Sequence, residues 1–364
     1  DYAQDLMAAE ALDFVSTHRD EPFFLYLPFP IPHLALQVPD SALSEYDGAW
    51  EETPYLGDQS YLPHQRPKAA YAAMITRMDR YIGRVLDLVN ELGLAENTIV
   101  VFTSDNGTTH LKAEVDYDFF ESVKPLRGLK GSLYEGGVRV PLIVRWPHHT
   151  KAGHVANELV SSLDILPTVL QATNVKSPAG LDGHALQPLL EGRFVKWSEH
   201  LFAHKMGSAA HFYYPQVAIR DARYKLIANP LRRPNPPAQI YTDNSGVFFI
   251  AGTRKDEVAA ASSLIQKAYA TYHNPPPVEL YDLQADPYEF KNLANKPKLA
   301  AVQKRLYSRL RDWQRDTGDP LVDAAALKRY TTEIDEAAAL KPALSYRRDK
   351  NFRWRYLDWM KPKP

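Results

Sequence analysis

No cysteine occurs anywhere in the 364 residues, which removes disulfides, thiolate metal sites and a cysteine nucleophile from this chain and leaves its redox compartment open. An excess of charge of either sign is also missing. The 43 Lys and Arg balance 44 Asp and Glu to a formal net charge of −1, so no whole-molecule field draws the chain to nucleic acid or to an anionic membrane. Nowhere do apolar residues run for the ~18–20 positions that a membrane span needs, and the opening DYAQDLMAAEALDF has neither the basic head nor the apolar core of a signal peptide. Internal repeats and low-complexity runs are absent as well. What remains is the composition of a soluble globular protein, 45% hydrophobic and 24% charged, long enough for one large domain and a smaller one.

The first half alternates helical and strand-like segments. DLMAAEALDFVSTHRDEP carries apolar residues at helical spacing, and from Lys68 to Leu94 apolar residues recur every three or four positions before Gly93 ends the pattern. PFFLYLPF (22–29), NTIVVFTSD (97–105) and PLIVRWP (141–147) are short and continuously apolar, as strands buried on both faces are, while DILPTVLQATN reads as a further helix. Residues 1–190 are therefore expected to form an α/β domain around a large, mainly parallel sheet flanked by helices. After about residue 190 the segments HLFAHK, QVAIRD, RYKLIAN and VELYDL are short and alternating, which predicts a smaller antiparallel sheet plus helix over 191–320. In DLQADPYEFKNLA, Asp286, Pro287 and Glu289 fit a capping box introducing the helix PKLAAVQKRLYSRLRDWQRD. Residues 321–364 end in a run rich in Pro, Lys, Arg and aromatics and are expected to lie over the body as an extended tail.

VVFTSDNGTTH (100–110) runs a strand straight into Asp105, Asn106 and Gly107. Asn-Gly is by itself a hairpin signal. The preceding strand does not alternate, however, and no return strand follows two residues later. Beyond the carboxyl end of a strand in an open α/β sheet is where ligands gather, and a carboxylate beside an amide carbonyl suits a hard cation, Ca²⁺ or Mg²⁺. Ca²⁺ takes roughly six to eight oxygens, so two ligands do not complete a site. His33 follows the strand-like PFFLYLPF in the same way, although a lone loop histidine is commonly just solvated. Lys130, in RGLKGSLYEGGVRVP, sits between glycines that let the backbone approach a ligand; the plain alternative is an exposed lysine. Glu135 and Arg139 read as a pair or as braces of that loop.

In order and with their surroundings, PFFLYLPFPIPH, MDRYIGRVLDLVNELGLAENTIVVFTSDNG, GLKGSLYEGGVRVPLIVRWP, DILPTVL, AIRDARYKLI and ELYDLQADPYEFKNLA make the chain, from residue 1 to about 315, resemble the C-terminal two-thirds of the type I, formylglycine-dependent sulfatases of the alkaline phosphatase superfamily. TSDNG and KGSLYEGGVRVP are the most specific parts. The resemblance implies that Asp105 and Asn106 ligate a catalytic Ca²⁺, with Mg²⁺ as the lesser candidate. It implies that His33 contacts the sulfate ester and protonates the leaving alcohol, and that Lys130 contacts sulfate oxygens. Such a cluster suits an anionic ester, because a metal and fixed cations hold it and offset the charge growing on the departing oxygen. The loop 200–216 borders the substrate pocket in the family, which makes His204 and His211 candidate substrate contacts. Aromatic and cationic clusters such as HFYYP suit sugar rings and sulfates as well as they suit core packing.

The chain departs from the family in one respect. The family nucleophile is formylglycine, made from Cys or Ser in a CxPSR or SxPSR motif of the N-terminal third, and neither a cysteine nor PSR is present; the Asp-Asp pair that completes the metal site is also absent. About one to two hundred residues, a domain's worth, are expected to precede this segment, as an N-terminal fragment of the same precursor packed against it. A fragment without catalytic competence, or a degenerate relative that only binds sulfated glycan, are the competing readings, and a phosphoryl-transfer hydrolase of the same superfold is a third. The expected activity is hydrolysis of sulfate esters on a sulfated polysaccharide or oligosaccharide, small aryl sulfates being the alternative, by a secreted or periplasmic enzyme with no nucleic-acid or membrane partner.

Overall fold

Fifteen residues at the start form a helix because Ala, Leu and Met dominate them and no Pro or Gly interrupts, and the amphipathic stretch that begins at Pro67 forms the longest helix of the chain. The computed structural model describes residues 2–57, 61–109, 119–207, 209–231, 233, 255–342 and 344–360. Its helices are α1 (Ala3–Thr17), α2 (Asp40–Leu43), α3 (Pro67–Glu91), α4 (Glu135–Val138), α5 (Ile165–Ala172), α6 (Gln187–Leu190), α7 (Lys255–Ala260), α8 (Ser263–His273), α9 (Ala300–Asp316), α10 (Ala324–Ala339) and α11 (Tyr356–Trp359). The strands are β1 (Val100–Thr103), β2 (Leu142–Arg145), β3 (Leu201–Lys205), β4 (Gln216–Arg220), β5 (Tyr224–Ala228) and β6 (Val278–Asp282). α3 stops where Gly93 takes a positive φ of 72°, the left-handed conformation that ends helices.

The four segments predicted to form an antiparallel sheet do so, in the order β3-β4-β5-β6 with every neighbour antiparallel. Period-2 alternation gives this sheet two loaded faces. Val217, Ile219, Leu226 and Leu280 pack against Leu306 and Leu310 of α9. The opposite face, with Ala218, Ile227 and Tyr281, packs against Leu129, Leu133 and Tyr134, against Ile31, Leu34 and Leu36, and against Tyr71 and Met74 of α3. One core cluster thus joins the C-terminal sheet to the loops that carry His33 and Lys130.

Three expectations need correcting. β1 and β2 pair with each other, and they pair antiparallel, Val100 opposite Arg145 and Thr103 opposite Leu142; the large parallel sheet is not present among the described residues. A continuous apolar run reports that a strand is to be covered but carries no information on its direction. Residues 22–29 form no strand among the described residues: Phe24 is 69% and Tyr26 77% exposed, and Ile143 on β2 is 62% exposed. These segments present apolar side chains to solvent where the sequence predicts burial. Third, 321–364 is not an extended tail, because Asp323 accepts the Ala326 N–H at 2.8 Å and starts the alanine-rich α10. Tyr330 and Ile334 of that helix pack on Tyr213 and Tyr346, with Phe352, Trp354 and Tyr356 around them.

Candidate active site

Asp105, Asn106 and Gly107 leave the end of β1 without folding into a hairpin, since β1 returns only through the distant β2. The Gly107 N–H donates to the Gly137 carbonyl at 3.0 Å, and the Lys130 N–H donates to the Thr108 carbonyl at 2.9 Å. The turn and the lysine loop are therefore a single hydrogen-bonded unit. Glycine is required at 107, because a Cβ there would lie 1.9 Å from the Gly136 carbonyl oxygen.

The donor chemistry of this turn fits a hard cation. The Asn106 side-chain amide nitrogen donates to the Gly107 carbonyl at 3.0 Å, and its Oδ1 remains an acceptor. The Asp105 carboxylate is exposed. Thr108 adds a buried Oγ1 with no hydrogen-bond partner. Among the described residues no group of three or more His, Asp or Glu gathers to hold a metal, so Asp105 and Asn106 offer two oxygen donors where a hard cation takes about six or more.

His33 is exposed at the end of the 22–29 segment, flanked by the core residues Ile31 and Leu34 that pack with Leu129 and Leu133 on either side of Lys130. Its Nδ1–H donates to the Leu34 carbonyl at 2.6 Å. That bond fixes the tautomer and leaves Nε2 as the reactive nitrogen. The ring of Tyr61 stands edge-on to it, 6.2 Å between centroids.

His204 is not brought to this side. In the register of β3 and β4, Ala203 lies opposite Ala218 on the face toward the lysine loop, whereas His204 lies opposite Val217 on the face covered by α9. Burial lowers its pKa, opposed by Asp319. His211 lies in a short turn, Ala210–Phe212, and its side chain falls outside the described residues. Lys205, next to His204 on β3, is directed by alternation to the lysine-loop face, and burial lowers its pKa to about 8.

Behind the lysine loop sits a set of buried charges that the sequence reading does not anticipate. Glu135, at the start of α4, ion-pairs with Arg220 of β4 and Lys225 of β5, the latter at 3.1 Å, and not with Arg139. Burial alone would raise the Glu135 pKa, yet Lys225 and Arg220 hold it below the usual glutamate value. Lys225 also pairs with Glu289 at 3.0 Å. Asp286 and Glu289 form no capping box: Asp286 accepts the Lys291 N–H at 2.7 Å within a turn, and the helix begins only at Ala300. Arg127 donates to the Glu289 carbonyl at 2.6 Å and to the Ala268 carbonyl at 3.0 Å, its guanidinium 4.1 Å from the Tyr134 ring centroid.

Against known proteins, the N-terminal stretch, residues 1–175, matches the Sulfatase family, and residues 129–232 match the family described as N-sulphoglucosamine sulphohydrolase, C-terminal. Human N-sulphoglucosamine sulphohydrolase is 28% identical over 351 residues, covering 85% of this chain and 64% of the relative. Human arylsulfatase H is 30% identical over 319 residues, covering 85% of this chain and 49% of the relative. The ulvan-active sulfatase of Formosa agariphila is 27% identical over 258 residues, covering 70% and 45%. Among solved structures, BT4656 in complex with its substrate D-glucosamine-2-N,6-O-disulfate superimposes with a TM-score of 0.62 at 20% identity, over 87% of this chain and 70% of that one. Ps i-CgsB in complex with k-i-k-neocarrahexaose gives 0.59 at 22% identity, over 86% and 55%. The fold is therefore the alkaline phosphatase-like one. Within that class the chain belongs to the sulfatase family, and it spans about half to two-thirds of the length of the curated relatives named here.

Proposed function

We propose that the protein hydrolyses sulfate monoesters on a sulfated polysaccharide or oligosaccharide, with a formylglycine nucleophile contributed by residues outside these 364. The observation that carries this reading is the hydrogen-bonded unit of the Asp105–Asn106 turn and the Lys130 loop, because it sets two hard oxygen donors beside a cationic loop, as an anionic ester requires. Asp105 and Asn106 would hold Ca²⁺, which when bound supplies charge neutralisation for the ester and lowers the pKa of the attacking hydroxyl. Lys130 pairs with sulfate oxygens. His33 keeps its Nδ1–H on the Leu34 carbonyl; as the imidazolium, with a second proton on Nε2, it delivers that second proton to the leaving alcohol and is left neutral. Sulfated sugars are favoured as substrates because relatives named for glucosamine and ulvan sulfates match this chain, and a secreted or periplasmic location follows from such polymers. The exposed Phe24, Tyr26 and Ile143 support a seat for the nucleophile-bearing segment, a precursor-derived N-terminal piece, against the 22–29 segment and the β1–β2 pair.

The experiment is an assay of the intact protein with sulfated oligosaccharides and with the corresponding phosphate esters. Sulfate release that is lost on chelation, restored by Ca²⁺ and abolished in Asp105→Ala is the expected result. Preferential phosphate release, or sulfate release indifferent to both chelation and Asp105→Ala, overturns the proposal.

A further inference from the structure

We infer that Glu289 is a positioning residue for the candidate metal and sulfate site, acting from the C-terminal subdomain through α4. The inference rests on the proposed sulfatase reading for its catalytic consequence and on geometry alone for its mechanical one. Glu289 is 0% exposed and uses three groups at once. Its Oε2 accepts the Glu135 N–H at 2.7 Å, at the first residue of α4. Its Oε1 pairs with Lys225, which also holds the Glu135 carboxylate. Its main-chain carbonyl accepts from Arg127, at the other end of the lysine loop.

The loop 127–137 is thus gripped by one residue at Arg127 and at Glu135, and the Asp105–Asn106 turn is bonded to it at Lys130, between the grips, and at Gly137, just past the second. Gly136 N–H donates to the Arg127 carbonyl at 2.7 Å, closing the loop, and the Gly137 carbonyl receives Gly107 of the Asp105–Asn106 turn. A shift of α4 moves both the turn and Lys130, because each is bonded to the other across Thr108. Glu289 itself adopts a φ of +53°, a left-handed conformation unfavourable for a non-glycine residue and retained where surrounding contacts over-determine it. Burying a lysine between two carboxylates is not an efficient route to stability, since replacing such groups by apolar residues is often neutral or better. A geometric duty accounts for the arrangement.

The test compares Glu289→Ala, Glu289→Gln and the control Asp282→Asn in the intact protein. The control removes the Asp282 partner of Arg223 at the end of β6, seven residues before Glu289, without touching α4. Amide hydrogen exchange is read first. Glu289→Ala is expected to speed exchange at 104–108 and 127–137 by at least about tenfold relative to α9, while Glu289→Gln, which keeps an acceptor for the Glu135 N–H, recovers part of the protection and Asp282→Asn leaves these peptides alone. Titration with Ca²⁺ is read second, with an expected weakening on the order of 10–100-fold for Glu289→Ala, as for outer partners of metal ligands generally. Uniformly faster exchange throughout the C-terminal sheet, or unchanged exchange at 104–108, overturns the inference. Selective loss of protection in a protein whose wild type binds no Ca²⁺ and releases no sulfate upholds the clamp and removes the sulfatase reading.

Discussion

His33 offers its Nε2 because its other nitrogen is committed to the Leu34 carbonyl, and that commitment yields a substrate-dependent prediction. His33→Ala is expected to slow sulfate release from a sugar sulfate by on the order of 10²-fold in kcat, and to slow a nitrophenyl sulfate far less, because a nitrophenolate departs without a proton. Equal losses on both substrates in parallel kinetics would remove the general-acid role. The glycines give a second contrast. Gly107→Ala forces the new methyl against the Gly136 carbonyl and should weaken Ca²⁺ binding, measured by calorimetry. Gly83→Ala, in the middle of α3 with nothing within 4 Å of the added Cβ, should raise stability by about 0.5–1 kcal/mol in denaturant melts. At this scale the sequence offers Asp105, Asn106, Lys130 and His33 as candidates through their neighbours, each just past a strand-like run or between glycines, and the bond that joins the 105–108 turn to the Lys130 loop is what the structure adds. Glu289 is not legible: its partner Glu135 is 154 positions away, and an acid two residues after a proline imitates a helix cap.

Helices and strands are read well where one face decides. α1, α3, α5 and α9 carry apolar stripes, and β3 to β6 alternate on a two-faced sheet, so period alone locates them. The pairing partner of β1 and the cap at Asp323 depend on contacts or turn chemistry that a period does not encode. Between α1 and α3, Asp5 accepts from Arg77 at 2.6 Å and also from the Tyr81 hydroxyl. Burial works against ionisation of Asp5, but the bonds from Tyr81 and Arg77 leave its pKa below the usual aspartate value. Burial, with Asp5, raises that of Tyr81 to about 12. A depressed acid stabilises above its unfolded pKa and loses that contribution as pH falls through the lower folded value; a raised tyrosine loses its contribution between its unfolded pKa and about pH 12. Asp5→Asn should therefore cost about 1 kcal/mol at pH 7, a modest figure because the pair is partly solvated, and should cost less at pH 3. A loss that is independent of pH between 3 and 7 in urea melts would show that the charge is not what joins the helices.

Across the whole molecule, burial is uneven. The antiparallel sheet is covered on both faces, whereas the 22–29 segment and the β1–β2 pair display Phe24, Tyr26, Phe102 and Ile143. Free apolar surface of this kind binds hydrophobic dyes and self-associates. The 364-residue chain alone is expected to enhance the fluorescence of anilinonaphthalene sulfonate, and addition of a nucleophile-bearing segment should quench it while sulfate release begins. Strong dye binding that persists after activity is restored would place that segment elsewhere. The two-sided apolar character of these segments is legible in the sequence, and what covers them is not, because a run of apolar letters names no contact partner.

The grip of Glu289 on Arg127 and Glu135 of the 127–137 loop also sets a rule for building chimeras. Exchanging the C-terminal subdomain with that of a relative places the cut at about residue 190 and separates Glu135 and Arg127 from Arg220, Lys225 and Glu289. A graft that inherits only one side of this joint leaves a carboxylate or an ammonium stranded in the interior. Donor and recipient must therefore exchange all five residues as a block.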